Sequence, residues 1–344
     1  QRKDGYIGQR YDGYFQDQSI YRQEDNIAHF IQTLSGFMLA SGQLDKDYVK
    51  AIKKAMRFAL ENYYRDEINL FMSTTSVHES AICSGYDIWT NFAYHKAIKD
   101  ITLLEEVFGI NIMGKQIKEI LAGTQAEHIF FFEDHYIRGL TKEGEPDLRR
   151  DFVCLSPFYF GIDMGSERIL ETAKMLREGL WDPILGGLLR YQPYTEEFEM
   201  HLHAGSGPWL QYTAVLAQIF YFNGLKSEGD KVMAVIDRYR QPEGYIPEHV
   251  STKNRFEEFM TLEWETGLDF EKEFDKRILK EGVKFDLICE ELNNMRRAYY
   301  KIRNGVIANP RLKHILFGCP LIWSHSEYCK ALFYREKQDL MSGH

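Results

Sequence analysis

The sequence predicts an all-α protein in which pairs of helices close into an (α/α)6 barrel, a toroid of helix hairpins. Apolar residues recur at helical spacing in nine segments, and these segments tend to follow one another in pairs. Strand signals are few. Strict repeats of about 34 or 40 residues, which would indicate a solenoid, are absent. Consecutive helix pairs over a chain of 344 residues therefore favour the closed barrel.

The predicted helices are defined by their apolar stripes. In the first of them, Ile27, Ile31 and Leu34 fall on one face. The nine segments are 21–39, 47–64, 89–108, 115–122, 167–179, 209–223, 227–239, 285–303 and 324–336. A short apolar run at 127–132 predicts a strand, and 187–191 predicts an extended loop. No linker composition divides the chain, so residues 1–344 are predicted to form one domain with a charged insertion around residues 255–282.

Composition and charge exclude several classes of protein. The 42 Lys and Arg residues against 51 Asp and Glu give a net charge of −9, which disfavours a nucleic-acid partner. No stretch approaches the roughly 18 uninterrupted apolar residues of a membrane span, so no membrane partner is expected. The aromatic content of 14% suits a sugar-binding cleft, because ring faces cover the C–H face of a pyranose.

The cysteines and the start of the chain bear on its location. Five cysteines, an odd number without a CxxC pair, predict neither a disulfide framework nor a zinc site and favour a reducing cytoplasm. His201 and His203 have the spacing of a metal-binding pair on a strand, but no third ligand is evident. We therefore expect no metal and no other cofactor. The chain begins with Gln1 and lacks an apolar signal region, which raises the expectation that an upstream segment has been removed.

Five loops between the predicted helices are rich in polar and aromatic residues. They span residues 84–91 (SGYDIWTN), 186–191 (GGLLRY), 203–209 (HAGSGPW), 244–250 (GYIPEHV) and 319–328 (CPLIWSHSEY). In an α/α barrel the loops of one rim converge on a funnel, so catalytic residues are expected in loops of this kind.

Taken in chain order, these loops resemble glycoside hydrolase family 15, the glucoamylase family. The segments that carry the resemblance are Gly186–Tyr191 (its Gly-Gly-x-x-Arg-Tyr loop), Gly207–Trp209 (its helix start at Asn-Pro-Trp), Ile246–His249 (its Leu-Pro-Glu-Gln loop), Pro320–Tyr328 (its Pro-Leu-x-Trp-Ser-His-x-Glu segment), Gln9–Tyr11 and Gln23–Asp25. The match covers most of the chain in the correct order.

The resemblance implies an inverting, exo-acting hydrolase that releases glucose from an oligosaccharide or glucan with α-linkages. Glu248 would be its general base, and Arg190 would hold the terminal glucose. Further sugar contacts would come from Asp87, Trp89, Trp209 and Trp323. The family carries an Arg-Asp pair in its first helical region that has no equivalent here, which is expected if the chain lacks the first helix or two.

The general acid is the clearest departure from the family pattern. Where the family reads Tyr-Asp-x-Trp-Glu-Glu, with the first glutamate as acid, this chain has Thr90 and Asn91. A threonine hydroxyl cannot protonate a leaving group at neutral pH. Glu79, on the same loop, is the substitute acid that we single out, with Glu257 and Glu258 as further candidates.

Other interpretations of these residues stay open. A catalytically impaired carbohydrate-binding or regulatory domain would explain the missing acid. A sugar lyase or epimerase on the same barrel is a third possibility. Asp87 could cap a helix rather than bind sugar. Each Trp could be a core residue, Arg190 could form a structural ion pair, and Glu248 could be a surface carboxylate.

Overall fold

The computed structural model describes residues 1–78, 85–115, 119–120, 126–192, 205–259 and 314–342, with scattered positions between 280 and 297. The helices are α1 (Asn26–Ser41), α2 (Lys46–Asn62), α3 (Ile88–Phe108), α4 (Ala126–Ile129), α5 (Ser156–Tyr159), α6 (Glu167–Gly179), α7 (Leu210–Phe222), α8 (Lys226–Tyr239), α9 (Lys253–Glu258) and α10 (Ile322–Ser342). Single 3-10 turns cover Ser76–His78 and Phe152–Leu155.

The strands are short and lie in loops between the helices. They are β1 (Tyr64–Arg65), β2 (Leu70–Phe71), β3 (Gly85–Asp87), β4 (Phe131–Phe132), β5 (His135–Tyr136), β6 (Gly139–Thr141), β7 (Pro146–Asp147), β8 (His249–Thr252) and β9 (His314–Phe317). All pairings are antiparallel: β1 with β2, β3 with β6, β6 with β7, β4 with β5, and β8 with β9. The prediction of an all-α protein is therefore confirmed, and the short strands pair with one another in the loops that connect the helices.

Local signals set the ends of the first helices. The Asp45 side chain accepts hydrogen bonds from the amides of Asp47 and Tyr48 and so caps the start of α2. Helix α1 ends at Gly42, whose φ of 65° is the left-handed conformation that closes a helix without steric cost. α1 packs against both α2 and α3, as expected for helices that alternate between neighbours in a toroid.

Helix α7 is an inner helix of the fold. All residues from Leu210 to Tyr221 are buried, and α7 packs against α6, α8 and α10. Two of its buried polar side chains bond to α10: Gln218 donates to the Glu327 carboxylate at 2.9 Å, and Gln211 accepts from Ser324 at 3.2 Å. A helix that is buried on all sides places its N-terminal end, at Trp209, inside the molecule rather than on its surface.

The observed helices agree with most of the predicted ones. Residues 167–179 form α6 with the predicted bounds, and α1, α2, α3, α7, α8 and α10 differ from their predicted segments by up to six residues at either end. The short helices α5 and α9 were not predicted. The strand predicted at 127–132 is wrong. Residues Ala126–Ile129 form α4, and only Phe131–Phe132 are extended before Glu133, at φ 54°, turns the chain. Most of segments 115–122 and 285–303 and of the charged insertion lies outside the described residues.

None of the helices in the described ranges is both long and apolar enough to cross a membrane.

A buried carboxyl group lies just before α1. Glu24 is 3% exposed, and its carboxylate accepts from the amide of Thr74 at 3.1 Å and from the Thr74 hydroxyl. Burial raises the pKa of Glu24 from 4.5 to about 7, although the bonds from Thr74 act in the opposite direction. The folded protein therefore binds a proton at Glu24 more tightly than the unfolded chain does.

Stability is expected to depend on pH through Glu24. The stabilising contribution of the protonated group is present below pH 4.5 and is lost as the pH rises to about 7. Glu24→Gln is uncharged throughout, so its stability relative to the wild type should increase by about 3 kcal/mol across this window. Urea unfolding at several pH values measures the difference. Parallel pH curves for the two proteins would contradict the expectation, and Gln at the exposed Glu61 is the control.

Candidate functional site

Glu248 has a fixed backbone and a partly free side chain. Its amide donates to the carbonyl of Phe317 at 2.9 Å, and its carbonyl accepts from the amide of Leu210 at 2.8 Å. The side chain is 31% exposed. A Cβ at Gly318 would lie 3.2 Å from Glu248 Oε2, so glycine leaves room for the carboxylate there. The inner helix α7 and strand β9 together hold this carboxylate at a solvent-accessible position.

A stack of rings lies beside Glu248. The imidazole of His249 lies between the rings of Trp209, at 4.7 Å and 18°, and Phe317, at 4.1 Å and 5°. The Arg190 guanidinium carbon is 4.6 Å from the centre of the Trp209 ring, a cation–π distance. The three predicted loops that contain Arg190, Trp209 and Glu248 therefore meet at one place, next to the end of β9 at Phe317.

Arg190 connects this stack to the turn at Ser76–His78. Its Nη2 donates to the carbonyl of Val77 at 2.7 Å, and only 7% of the residue is exposed. The next residue in that turn, His78, lies 2.7 Å through Nε2 from the carboxylate of Asp151. Arg190 thus joins loops that are 113 residues apart in sequence.

The buried pair of His78 and Asp151 was not identified from the sequence. Both side chains are fully buried, and Arg138 forms an ion pair with Asp151 at 2.9 Å. Burial lowers the pKa of His78 to about 4, so the imidazole is neutral at neutral pH. The partners are 73 residues apart and belong to no motif, so the sequence contains no local signal for this pair.

Asp87 caps helix α3. Its Oδ1 accepts from the amide of Thr90 at 2.9 Å and from the hydroxyl of Ser76 at 2.8 Å, while Oδ2 is buried without a hydrogen-bond partner among the described residues. Burial raises the pKa of Asp87. The cap is therefore observed, and a sugar contact by Asp87 stays a prediction.

Thr90 lies in the protein interior. Its exposed fraction is 0%, and its hydroxyl is 3.3 Å from that of Ser76. The position that matches the acid of the glucoamylase family is therefore closed to solvent here. The Thr90 side chain packs against the turn that contains Ser76.

Replacing Thr90 by glutamate is not expected to restore an acid. Thr90→Glu would place a larger, ionisable side chain at a fully buried position, at a cost of about 3 kcal/mol or more. Thermal unfolding and a glucose-release assay measure the two effects, and Thr90→Val is the size-matched control. A Thr90→Glu protein with unchanged stability and raised activity would contradict this account.

Trp89 belongs to a buried cluster of rings. Only 2% of it is exposed, and its Nε1 donates to Asp25 Oδ2 at 2.9 Å. Its ring is 4.7 Å from that of Tyr159 and 6.1 Å from that of Trp323. Trp323, at the start of α10, is half-buried. Core packing accounts for the described contacts of Trp89, and its contact with sugar stays a prediction.

Some candidate residues cannot be placed. Glu79, His201 and His203 lie outside the described residues. Within the described residues, no group of three His, Cys, Asp or Glu side chains is arranged to hold a metal ion.

No protein family and no curated protein matches the sequence. Solved structures do match. A glycosidase variant in complex with glucose has a TM-score of 0.61 at 14% identity, over 98% of this chain and 74% of that one. D-mannose isomerase gives 0.50 at 9% identity, over 78% of each chain. Glucoamylase from Saccharomycopsis fibuligera gives 0.50 at 14% identity, over 92% of this chain and 70% of its own.

Similarity at this level of identity concerns the fold. The chain has the α/α-toroid fold of these enzymes, which confirms the predicted α/α barrel.

Proposed function

We propose that this protein is an inverting, exo-acting glycoside hydrolase of the glucoamylase family, which releases glucose from an α-glucan or α-glucoside. The observation that carries the proposal is the setting of Glu248: a partly exposed carboxylate on a fixed backbone, next to a ring stack covered by Arg190. In an inverting hydrolase, such a carboxylate removes a proton from the attacking water.

Arg190 and the aromatic residues supply the groups that a glucose residue needs. A guanidinium presents a rigid fork of donors to sugar hydroxyls. Trp323 is half-buried, so part of its ring remains available to a pyranose, and Trp89 supports it from the core side. Trp209, which lies between His249 and Arg190, would hold Arg190 in place as well as border the subsite. Asp87 is proposed to contribute a hydrogen bond through Oδ2.

The general acid is proposed to be Glu79. It follows His78 in the chain, directly after the turn whose Val77 carbonyl is bonded to Arg190. This connection brings the described end of that loop to the same ring stack that borders Glu248. An inverting pair needs its carboxyl groups roughly 6.5–9.5 Å apart. Glu257 and Glu258 are alternatives on α9, which follows β8.

A second function is favoured by the buried Thr90. Without a carboxyl group at that position, the funnel could bind a sugar and not cleave it, as a carbohydrate-binding or regulatory domain does. The Glu248 loop and Arg190 would then serve binding only.

The location proposed for the protein is the cytoplasm. Cys154, Cys319 and Cys329 carry free thiols, which a reducing compartment maintains.

Calorimetry and a product assay distinguish these functions. Maltose, isomaltose, trehalose and a soluble α-glucan are titrated into the protein, and the same mixtures are assayed for released glucose. Binding with release of glucose supports the hydrolase. Binding without release of glucose supports the carbohydrate-binding or regulatory domain. Conversion of free glucose or mannose into an isomer, detected by NMR in the same samples, would replace both with a sugar isomerase or epimerase.

A further inference from the structure

The side chain of His249, which follows Glu248 in the chain, is more tightly packed than that of Glu248. The His249 ring lies nearly parallel to Phe317, which is its register partner across β8 and β9, and to Trp209 on the other side. Only 8% of His249 is exposed. With both ring faces covered, the imidazole can rotate very little, so the direction of its nitrogens is set by the fold.

One nitrogen of this ring is directed toward Glu248. His249 Nδ1 is 3.8 Å from Glu248 Oε2. The Nδ1 atom is buried and has no hydrogen-bond partner among the described residues. A buried polar atom without a partner is costly, and the Glu248 carboxylate, 3.8 Å away, is able to pair with it. A modest rotation of the Glu248 side chain, which is partly exposed, closes the gap.

The charges around His249 determine its protonation state. Glu248 on the same loop favours the protonated imidazole, and Arg190, whose guanidinium carbon lies 4.6 Å from the centre of the Trp209 ring, opposes it. The neighbours of the ring among the described residues, Phe317, Trp209 and the backbone of Gly205, carry no charge. Burial is the largest effect and lowers the pKa of His249. The ring is therefore a neutral donor rather than a cation at neutral pH.

We propose that His249 is a positioning residue for Glu248. Its Nδ1–H donates to Glu248 Oε2 and thereby directs Glu248 Oε1 toward the attacking water. The proposal rests on the function proposed for Glu248. One carboxylate oxygen is then engaged with the ring, and the other remains free to accept the proton of the water.

A purely structural role for His249 makes a different prediction. If the ring only fills space between Trp209 and Phe317, phenylalanine should replace it without consequence for Glu248, since it offers the same flat shape for stacking. His249→Phe therefore removes the donor while it keeps the stack.

Steady-state kinetics of His249→Phe test the proposal. We expect kcat to fall about 10–100-fold, because the carboxylate loses its orientation, and KM to change less than about twofold. The acid limb of the kcat/KM profile should move up by about one pH unit, because Glu248 loses a donor to its ionised form. His249→Gln, which retains a donor, should recover much of the loss.

A measurement that needs no substrate separates this proposal from the function itself. Glutamate labelled with ¹³C at Cδ reports the titration of Glu248 by NMR, and its resonance is assigned by its absence in Glu248→Gln. We expect the Glu248 pKa to rise in His249→Phe. The control is His95→Phe in α3, another buried histidine that stacks on a ring, Phe92, and has an unpaired Nδ1 among the described residues.

The outcomes are distinct. An unchanged Glu248 titration in His249→Phe overturns the positioning role, whether or not the protein is an enzyme. An equal shift in His95→Phe overturns it as well, because the effect would not depend on contact. A shifted titration in a protein that hydrolyses none of the glucosides leaves the contact established and refutes the hydrolase.

Discussion

Glu248→Gln is expected to reduce kcat for glucose release by about 10²–10⁴-fold and to leave the fold intact. The amide cannot accept a proton from water, so the general base is lost. The substitution preserves size, and the backbone bonds of residue 248 to Phe317 and Leu210 do not involve the side chain. Activity on maltose or a soluble α-glucan, together with thermal unfolding, measures both effects.

A matched control for this variant lies in the same loop region. Glu243 is exposed and precedes Gly244, so Glu243→Gln makes the same chemical change at an exposed position. It should retain wild-type activity. Unchanged turnover in Glu248→Gln would remove Glu248 from the mechanism.

Glu79→Gln is expected to reduce kcat by about 10²–10⁴-fold on substrates with sugar leaving groups. A sugar alkoxide leaves only when it is protonated. Fluoride leaves without such help, so α-glucosyl fluoride should be cleaved by Glu79→Gln at close to the wild-type rate, while Glu248→Gln loses activity on both substrates. The comparison of the two substrates identifies the step that each carboxyl group serves.

The rival acids provide the control for this prediction. Glu257→Gln and Glu258→Gln in α9 should behave as the wild type on both substrates. If one of these variants loses activity on substrates with sugar leaving groups and keeps it on α-glucosyl fluoride, the substituted residue is the acid. A Glu79→Gln protein with full activity on maltose would show that Glu79 has no such role.

The sequence predicted the helices well where a clear apolar stripe met a clear boundary. At residues 167–179 the stripe begins after Ser166, whose side chain caps α6 by accepting from the amide of Ile169 at 3.4 Å, so both bounds were correct. The strand prediction at 127–132 was wrong because a short apolar segment has no periodicity that distinguishes a strand from a helical turn. Which side chains are enclosed on every side, as along α7, depends on neighbours that are distant in sequence.

The candidate site was predicted less completely than the fold. The resemblance of the loops to those of the glucoamylase family led to Glu248 and Arg190, which the structure places at the same ring stack. The sequence left Asp87 open between a cap and a sugar contact, and the structure shows the cap. The pair His78–Asp151 could not be predicted, because its partners meet only through the tertiary fold.

The burial of Thr90 could not be predicted from the sequence either. The sequence alone does not distinguish a threonine that lines an open funnel from one that is buried. Thr90 is fully buried, so the proposed mechanism takes its acid from another segment.

The configuration of the released glucose tests the central claim most directly. Proton NMR during hydrolysis of an α-glucoside shows which anomer forms before mutarotation. An inverting enzyme that uses Glu248 to activate water should release β-glucose first, and the signal should disappear in Glu248→Gln. Initial release of α-glucose, or no release from any α-glucoside by the wild-type protein, would contradict the account.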